Sequence, residues 1–248
     1  MFGLFGKRSP PQCPVPETSR QWLDRSFPFL IQRFGEEDIK HKKILVPHYT
    51  DFPIRYDGNE STAWDTLHIL TGQMGVSSKD ITLDIYEGER TGIGGNQTIY
   101  LGNYKNVNPT EMDISQKQED GKYHIGIEKK FLTDPEGLVA WLAHDLARIR
   151  LIEHPQPEES KMLVDLATVV FGIGVFNANA SYREKQTLDS WGYQRVGYLK
   201  QREWGYALAL FAQLREEKDP AWAKHLTPNI RSDFSNSLSC PSIAPAFM

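Results

Sequence analysis

The chain has 248 residues, of which 40% are hydrophobic and 24% charged, enough for one sizeable core. Its net charge of −4 gives no electrostatic footprint for nucleic acid, and no apolar run approaches the roughly 20 residues that span a bilayer. The two cysteines, Cys13 and Cys240, fit no zinc spacing and no disulfide framework. This pattern favours a reducing compartment, so we expect a cytoplasmic protein without a membrane span or a nucleic-acid partner.

The N-terminal part predicts a leader followed by helices around a short strand. Residues 1–16 end in "SPPQCPVP", which cannot be helical, and we expect them to form a flexible leader. A helical stripe follows in "ETSRQWLDRSFPFLIQRFG", where Pro28 predicts a break or kink. The segment "KKILVP" predicts a short strand, and "STAWDTLHILTGQMG" a helix with Trp64, Leu67 and Leu70 on one face.

Three strand candidates follow in the middle of the chain. The segment "ITLDIYEG" alternates apolar and polar residues, and so does "KYHIGIEKKFL". Between them, "QTIYLGNY" comes after the glycine-rich "TGIGGN". That glycine-rich segment lacks the residues of a nucleotide-binding loop and predicts a hairpin connection.

The remainder of the chain is predicted to be helical. One helix begins at Pro135 with Thr133 or Asp134 as its cap, and a buried helix covers "SKMLVDLATVVFGIGVFNAN". Further helices are predicted in "YLKQREWGYALALFAQLREEK" and in the segment that follows. Strands followed by helices indicate the α+β class. We expect one domain over residues 17–235, divided into a helix-and-sheet part (17–132) and a helical part (133–235), with a tail at 236–248.

The stretch "WLAHDLARIRLIEH" carries the residues that point to chemistry. Residues four apart share a helix face, so His144 and Arg148 point the same way, with Asp145 beside them. In a zinc-hydrolase helix, two histidines at this spacing bind the metal, and the acid after the first one accepts a proton from the metal-bound water. Arg148 cannot take the place of the second histidine, because a guanidinium has no lone pair to donate.

Three blocks resemble a bacterial family with a zincin-like core. They are "LVAWLAHDLARIRLIEH", "DLATVVFGIGVFNANAS" and "GYALALFAQLREEKDPAWAKHL", which occur in the family's order within residues 16–235. In that family, the first two look like L-V-A-x-x-A-H-E-L-A-H and E-x-x-x-D-L-x-x-V-x-x-G-x-G-x-F-x-A-N. The resemblance implies a fold like that of gluzincin metallopeptidases, with a small mixed sheet, an active-site helix and a second helix that supplies a glutamate ligand.

When the family's zinc-site positions are placed on this sequence, the resemblance implies a degenerate zinc site. His144 matches the first histidine ligand, and Asp145 stands where the glutamate base would be, so both are interpreted as vestigial catalytic residues. Arg148 and Lys161 stand at the other two ligand positions, and Asp165 matches the acid that orients a histidine. An offset of two or three residues would instead place Glu159 or Glu158 at the glutamate position.

Both ligand replacements are cations, which predicts that zinc has been lost. We expect Arg148 and Lys161 to supply the missing positive charge by pairing with Asp145 and Asp165 in a metal-free salt-bridge cluster. The predicted function is then to bind a protein or peptide partner in a regulatory, scaffold or immunity-type role. The alternative is a peptidase-like hydrolase with a rearranged site at His144, Asp145 and Asp165. An improvised metal site would add other residues, namely His124, His154 and Glu159.

Overall fold

The computed structural model describes residues 13–93, 97–102, 116–152, 161–181, 183–187, 190–194 and 197–240. None of the helices in this part of the chain is long and apolar enough to cross a membrane. The helices are α1 (Glu17–Phe34), α2 (Glu36–Lys40), α3 (Glu60–Met74), α4 (Pro135–Ile152), α5 (Lys161–Val170), α6 (Gly174–Ala180), α7 (Gln201–Leu214) and α8 (Pro228–Leu238). The strands are β1 (Ile81–Tyr86), β2 (Gly88–Ile93), β3 (Gln97–Gly102), β4 (Tyr123–Glu128), β5 (Arg183–Thr187) and β6 (Ser190–Gln194).

The strands lie in separate pairs. Strands β1 and β4 are parallel, with Ile81 opposite Tyr123, whereas β2–β3 and β5–β6 are antiparallel hairpins. A parallel pair needs a long crossover, and the β2–β3 hairpin lies within the crossover from β1 to β4. The predicted α+β class is therefore confirmed. The described residues form two-stranded pairs and not the single small mixed sheet that we expected.

Helix α4 lies at the centre of the molecule and contacts α3, α5, α6 and β4. It begins as expected at Pro135, and the carboxylate of Asp134 accepts a hydrogen bond from the backbone N–H of Gly137 at 3.1 Å. Leu138, Leu142, Leu146 and other residues on several of its faces are buried. A helix that is buried on several sides is held in position by its neighbours, which fixes the side chains that it carries.

Contrary to our expectation, Pro28 does not interrupt the first helix. Helix α1 runs from Glu17 to Phe34 with Pro28 inside it. Pro28 cannot donate the usual hydrogen bond to the carbonyl four residues earlier, which costs stability. The helix buries Leu23, Phe27, Leu30 and Ile31 against the core. Burial of this stripe offsets the missing bond, so tertiary packing overrides the local preference.

The predicted strand "KKILVP" and the predicted single long helix at 160–179 were both wrong. Both corrections involve Gly172. The helix is divided into α5 and α6 at this glycine, whose φ is +79°. A Cβ there would lie 2.3 Å from the carbonyl oxygen of Lys43. The N–H of Leu45 donates to the carbonyl of Gly172 at 2.9 Å. The segment 42–47 therefore crosses the α5–α6 junction and forms no β-ladder.

The two cysteines form a disulfide, with their Cα atoms 5.4 Å apart. The expectation that they support no disulfide was wrong, because they lie at opposite ends of the chain and sequence spacing does not reveal such a pair. The cysteines therefore no longer favour a reducing compartment, since lasting disulfides are typical of oxidising compartments. Around this bond, Val15 is buried within the predicted leader, and α8 continues three residues beyond the predicted boundary at 235.

Candidate functional site

Helix α4 is anchored to the strand that precedes it. A short 3₁₀ segment, Lys129–Thr133, joins β4 to α4. The indole N–H of Trp141 donates to the carbonyl of Gly126 in β4 at 2.9 Å. This bond ties the first half of α4 to the strand, and His144 follows Trp141 by about one turn of the helix. Strand β4 and helix α4 thus fix the direction in which the His144 side chain leaves the helix.

The imidazole of His144 lies between two carboxylates. Its Nε2 atom is 3.5 Å from Oδ1 of Asp165 on α5, and its Nδ1 atom is 3.7 Å from Oδ1 of Asp145. Both distances exceed the usual hydrogen-bond length of about 3 Å. Within the part of the chain that the structure describes, Nε2 of His144 is buried without a hydrogen-bond partner. The histidine is therefore close to both acids without being hydrogen-bonded to either.

Asp165 is fully buried and is held by main-chain groups. Its Oδ2 atom accepts hydrogen bonds from the backbone N–H groups of Tyr198 at 2.5 Å and Leu199 at 2.7 Å. These two bonds hold the Oδ2 side of the carboxylate in one position. The segment 197–199, between β6 and α7, thereby wraps around the end of the Asp165 side chain.

Gly197 makes this wrapping possible. Its φ of +90° is a conformation that side chains rarely adopt. A Cβ atom at this position would lie 2.6 Å from Oδ1 and 2.8 Å from Oδ2 of Asp165. Only a glycine allows the main chain to approach the carboxylate so closely. Gly197 was not among the predicted site residues, and its one signal in the sequence was its place just before the start of α7.

His144, Asp165 and Tyr198 form a cluster, and Tyr198 lies on its exposed side. Its side chain is 44% exposed, and its ring centroid lies 6.1 Å from that of His144. The ammonium group of Lys161 lies 5.2 Å from the centroid of the same tyrosine ring, at the distance of a cation–π contact. Two other aromatic residues of the C-terminal third, Trp204 and Tyr206, are buried.

The predicted salt-bridge cluster is not formed. All four of its residues are described, and among them no ion pair joins Arg148 or Lys161 to Asp145 or Asp165. The structure instead places His144 between the two acids. Lys161 is exposed at the start of α5, where its ammonium group keeps the hydration that it would lose on burial.

Of the three residues predicted for the improvised metal site, the structure describes His124 alone. His154, Glu158 and Glu159 lie outside the described residues. His124 is engaged elsewhere, with Nδ1 2.9 Å from Asp84 and Nε2 3.1 Å from Asp120. Burial lowers the pKa of His124, but the hydrogen bonds to Asp120 and Asp84 outweigh it, so the pKa is raised overall.

The donor set around His144 does not fit a zinc ion. Zinc sites use three or four neutral or anionic donors, whereas two of the three ligand positions implied by the resemblance carry Arg148 and Lys161. In the described part of the chain, no three histidine, cysteine or carboxylate side chains are grouped so that they could hold a metal. The described groups at this site include an imidazole, a buried carboxylate and an exposed phenol.

Comparison of the chain with family models, with curated proteins and with solved structures finds no match. The resemblance to zincins therefore stays a prediction from the three sequence blocks.

Proposed function

We propose that this chain is a zincin-like protein in which cationic side chains have replaced the metal ligands, and that it acts by binding a protein or peptide partner. The order of elements supports the proposal. Strand β4 leads into α4, which carries His144 and Arg148, and α5 returns beside α4 with Lys161 and Asp165. This is the order that the resemblance implies for a strand, an active-site helix and a second ligand helix.

The observation that carries the proposal is the position of Lys161. At the place of the expected glutamate ligand, an ammonium group lies over the ring of Tyr198. A divalent ion beside His144 would be repelled by this charge and by that of Arg148, at a cost of kcal/mol size. The side chains at these positions thus favour an anionic or polar partner over a metal ion.

The surface at Tyr198 has the composition of a binding site. An exposed tyrosine combines an apolar ring with a hydroxyl group, and exposed aromatic residues are enriched at protein interfaces. Lys161 borders the ring with an exposed ammonium group that can meet carboxylates or carbonyl oxygens of a partner. Regulatory, scaffold and immunity-type roles would all use such a surface.

Metal analysis tests whether cationic side chains have replaced the metal ligands. We expect no stoichiometric zinc in the protein when it is purified without chelator. The double variant Arg148→His with Lys161→Glu should bind one zinc ion, because it restores two neutral or anionic donors beside His144. Each single variant is the matched control and should bind zinc more weakly. Stoichiometric zinc in the wild type, or failure of the double variant to bind it, would contradict the proposal.

Partner capture tests the second half. A partner retained by the wild type should be lost with Tyr198→Ala and weakened with Lys161→Ala. Tyr49→Ala is the control, because Tyr49 is the other exposed large aromatic residue in the described part of the chain. Equal retention by the Tyr198→Ala and Tyr49→Ala variants would show that the surface at Tyr198 is not the binding site.

A second candidate function is metal-free hydrolysis. The observation that favours it is the 3.5 Å approach of Asp165 to His144, since a carboxylate that orients an imidazole is typical of a general base. This function predicts ester or peptide hydrolysis that persists in the presence of a chelator and is lost with His144→Gln. Absence of such activity in the wild type would leave the binding function alone.

A further inference from the structure

A second site lies beside the first two turns of α4, around a cavity of about 620 Å³ whose lining residues were not among the predicted site residues. Its volume falls within the range of small-molecule sites. The residues that line it come from the segment 47–56, from the start of α4, from α6 and from Thr227.

The cavity is separate from the His144 cluster. The last α4 residue that lines it is Val139, five positions before His144. Five residues correspond to a rotation of about 140° around the helix and a rise of about 7.5 Å. Neither His144, Asp165 nor Tyr198 lines the cavity. An inference about its ligand is therefore independent of the proposed function.

The floor of the cavity is apolar. Phe52 and Phe176 are buried and meet edge to face, with ring centroids 5.2 Å apart. Val139 is also buried, and Ile54 lines the same cavity. Such a floor fits a compact aromatic or branched aliphatic group, which would gain free energy by leaving water.

The mouth of the cavity combines aromatic rings with negative charge. Tyr49 lines it and is 72% exposed, an unusual exposure for a large aromatic side chain, and Tyr56 lines it as well. Asp134 and Glu136 contribute two carboxylates and His48 an imidazole, and none of the described lining residues is a lysine or an arginine. Carboxylates and the faces of aromatic rings both attract organic cations.

We propose that this cavity binds a small organic amine, with the apolar body of the ligand on Phe52 and Phe176 and its ammonium group between the rings of the mouth and Glu136. The side chain of Asp134 already caps α4 by accepting the N–H of Gly137. Glu136, in the first turn of the same helix, is therefore the carboxylate whose charge can be removed without loss of the cap.

Calorimetric titration with three probes of similar size tests the proposal. The probes are 2-phenylethylamine, the neutral 2-phenylethanol and the anionic 3-phenylpropanoate. We expect the amine to bind with a Kd on the order of 0.1–1 mM, the alcohol roughly tenfold more weakly, and the acid more weakly still.

Two variants locate the site. Glu136→Gln should weaken binding of the amine about tenfold and leave binding of the alcohol unchanged. Tyr49→Ala should weaken both. The matched control is Glu60→Gln, which removes a carboxylate from the first turn of α3, outside the cavity. Equal affinity for amine and alcohol, an unchanged affinity for the amine in Glu136→Gln, or no binding of the amine at about 10 mM would each overturn the proposal.

Discussion

Two histidines of this protein each lie between two aspartates, yet their environments differ. His124 lies near the surface, and its two ring nitrogens are 2.9 Å from Asp84 and 3.1 Å from Asp120. His144 is less exposed, with 16% of its side chain accessible against 27% for His124, and its two nitrogens are 3.7 Å and 3.5 Å from the carboxylate oxygens of Asp145 and Asp165. The surface histidine is hydrogen-bonded on both sides, whereas the interior one is only close to its acids.

The difference arises from what else each carboxylate binds. Asp165 is committed to the N–H groups of Tyr198 and Leu199, which hold it in one position. In contrast, Asp120 is about half exposed and can follow the imidazole of His124. Proximity of an acid to a histidine is therefore insufficient evidence for a bonded pair. Changes to the interior cluster should accordingly cost more stability than changes to the surface cluster.

Removal of the carboxylate of Asp165 should have the largest effect. Asp165→Ala leaves two backbone N–H groups without their acceptor, so we expect the free energy of unfolding to fall by about 2–4 kcal/mol. Urea denaturation monitored by circular dichroism measures the change. The control is Asp84→Ala, the corresponding change at His124, which should cost less than about 1 kcal/mol. Similar losses in the two variants would show that the interior and surface clusters are equivalent.

A methyl group at Gly197 should have an intermediate effect. Gly197→Ala places a side chain at positive φ and against the Asp165 carboxylate, which should destabilise the protein by about 1–3 kcal/mol. Thermal unfolding would detect this loss. Gly72→Ala is the matched control, because a Cβ at Gly72 in α3 meets no atom within 4 Å. The control should be neutral or slightly stabilising, and an equally neutral Gly197→Ala would contradict the close approach.

The pH dependence of the surface pair should be the smallest effect. The pKa of His124 is raised above its ordinary value of 6.5, since the bonds to Asp120 and Asp84 outweigh burial. The contribution of protonated His124 and its two aspartates to the free energy of unfolding is therefore fully present below pH 6.5. It is lost as the pH rises through the raised pKa of His124.

We expect the wild type to exceed His124→Gln in stability by less than about 1 kcal/mol at about pH 5.5, and by less still at about pH 9. Urea midpoints of both proteins at the two pH values measure this difference. A gap that widens towards the higher pH would contradict the assigned pairing. His144→Gln, measured in parallel, indicates whether the interior histidine shows the same dependence.

The sequence was sufficient for elements with a strong local pattern. Helix α4 begins at Pro135 as predicted. Strand β4 covers Tyr123–Glu128 of the predicted strand segment, which continues into the 3₁₀ segment Lys129–Thr133. Strand β4 could be predicted because it buries alternate side chains, and the start of α4 because a capping aspartate precedes its proline. The position of His144 on α4 could be predicted for the same reason.

The parts of the fold and of the site that the sequence did not predict depend on contacts between residues far apart in the chain. The division at Gly172 is imposed by the Lys43 carbonyl, and the position of Asp165 by amides more than thirty residues away. Local propensity carries no information about such partners. For the same reason, the sequence could not show that His144, and not the cations at positions 148 and 161, lies between Asp145 and Asp165.

The bond between Cys13 and Cys240 changes the topology of everything between them. With a sequence separation of 227, it turns this stretch of chain into a covalent ring. One protease cut inside the ring would leave the two pieces joined until a reductant opens it.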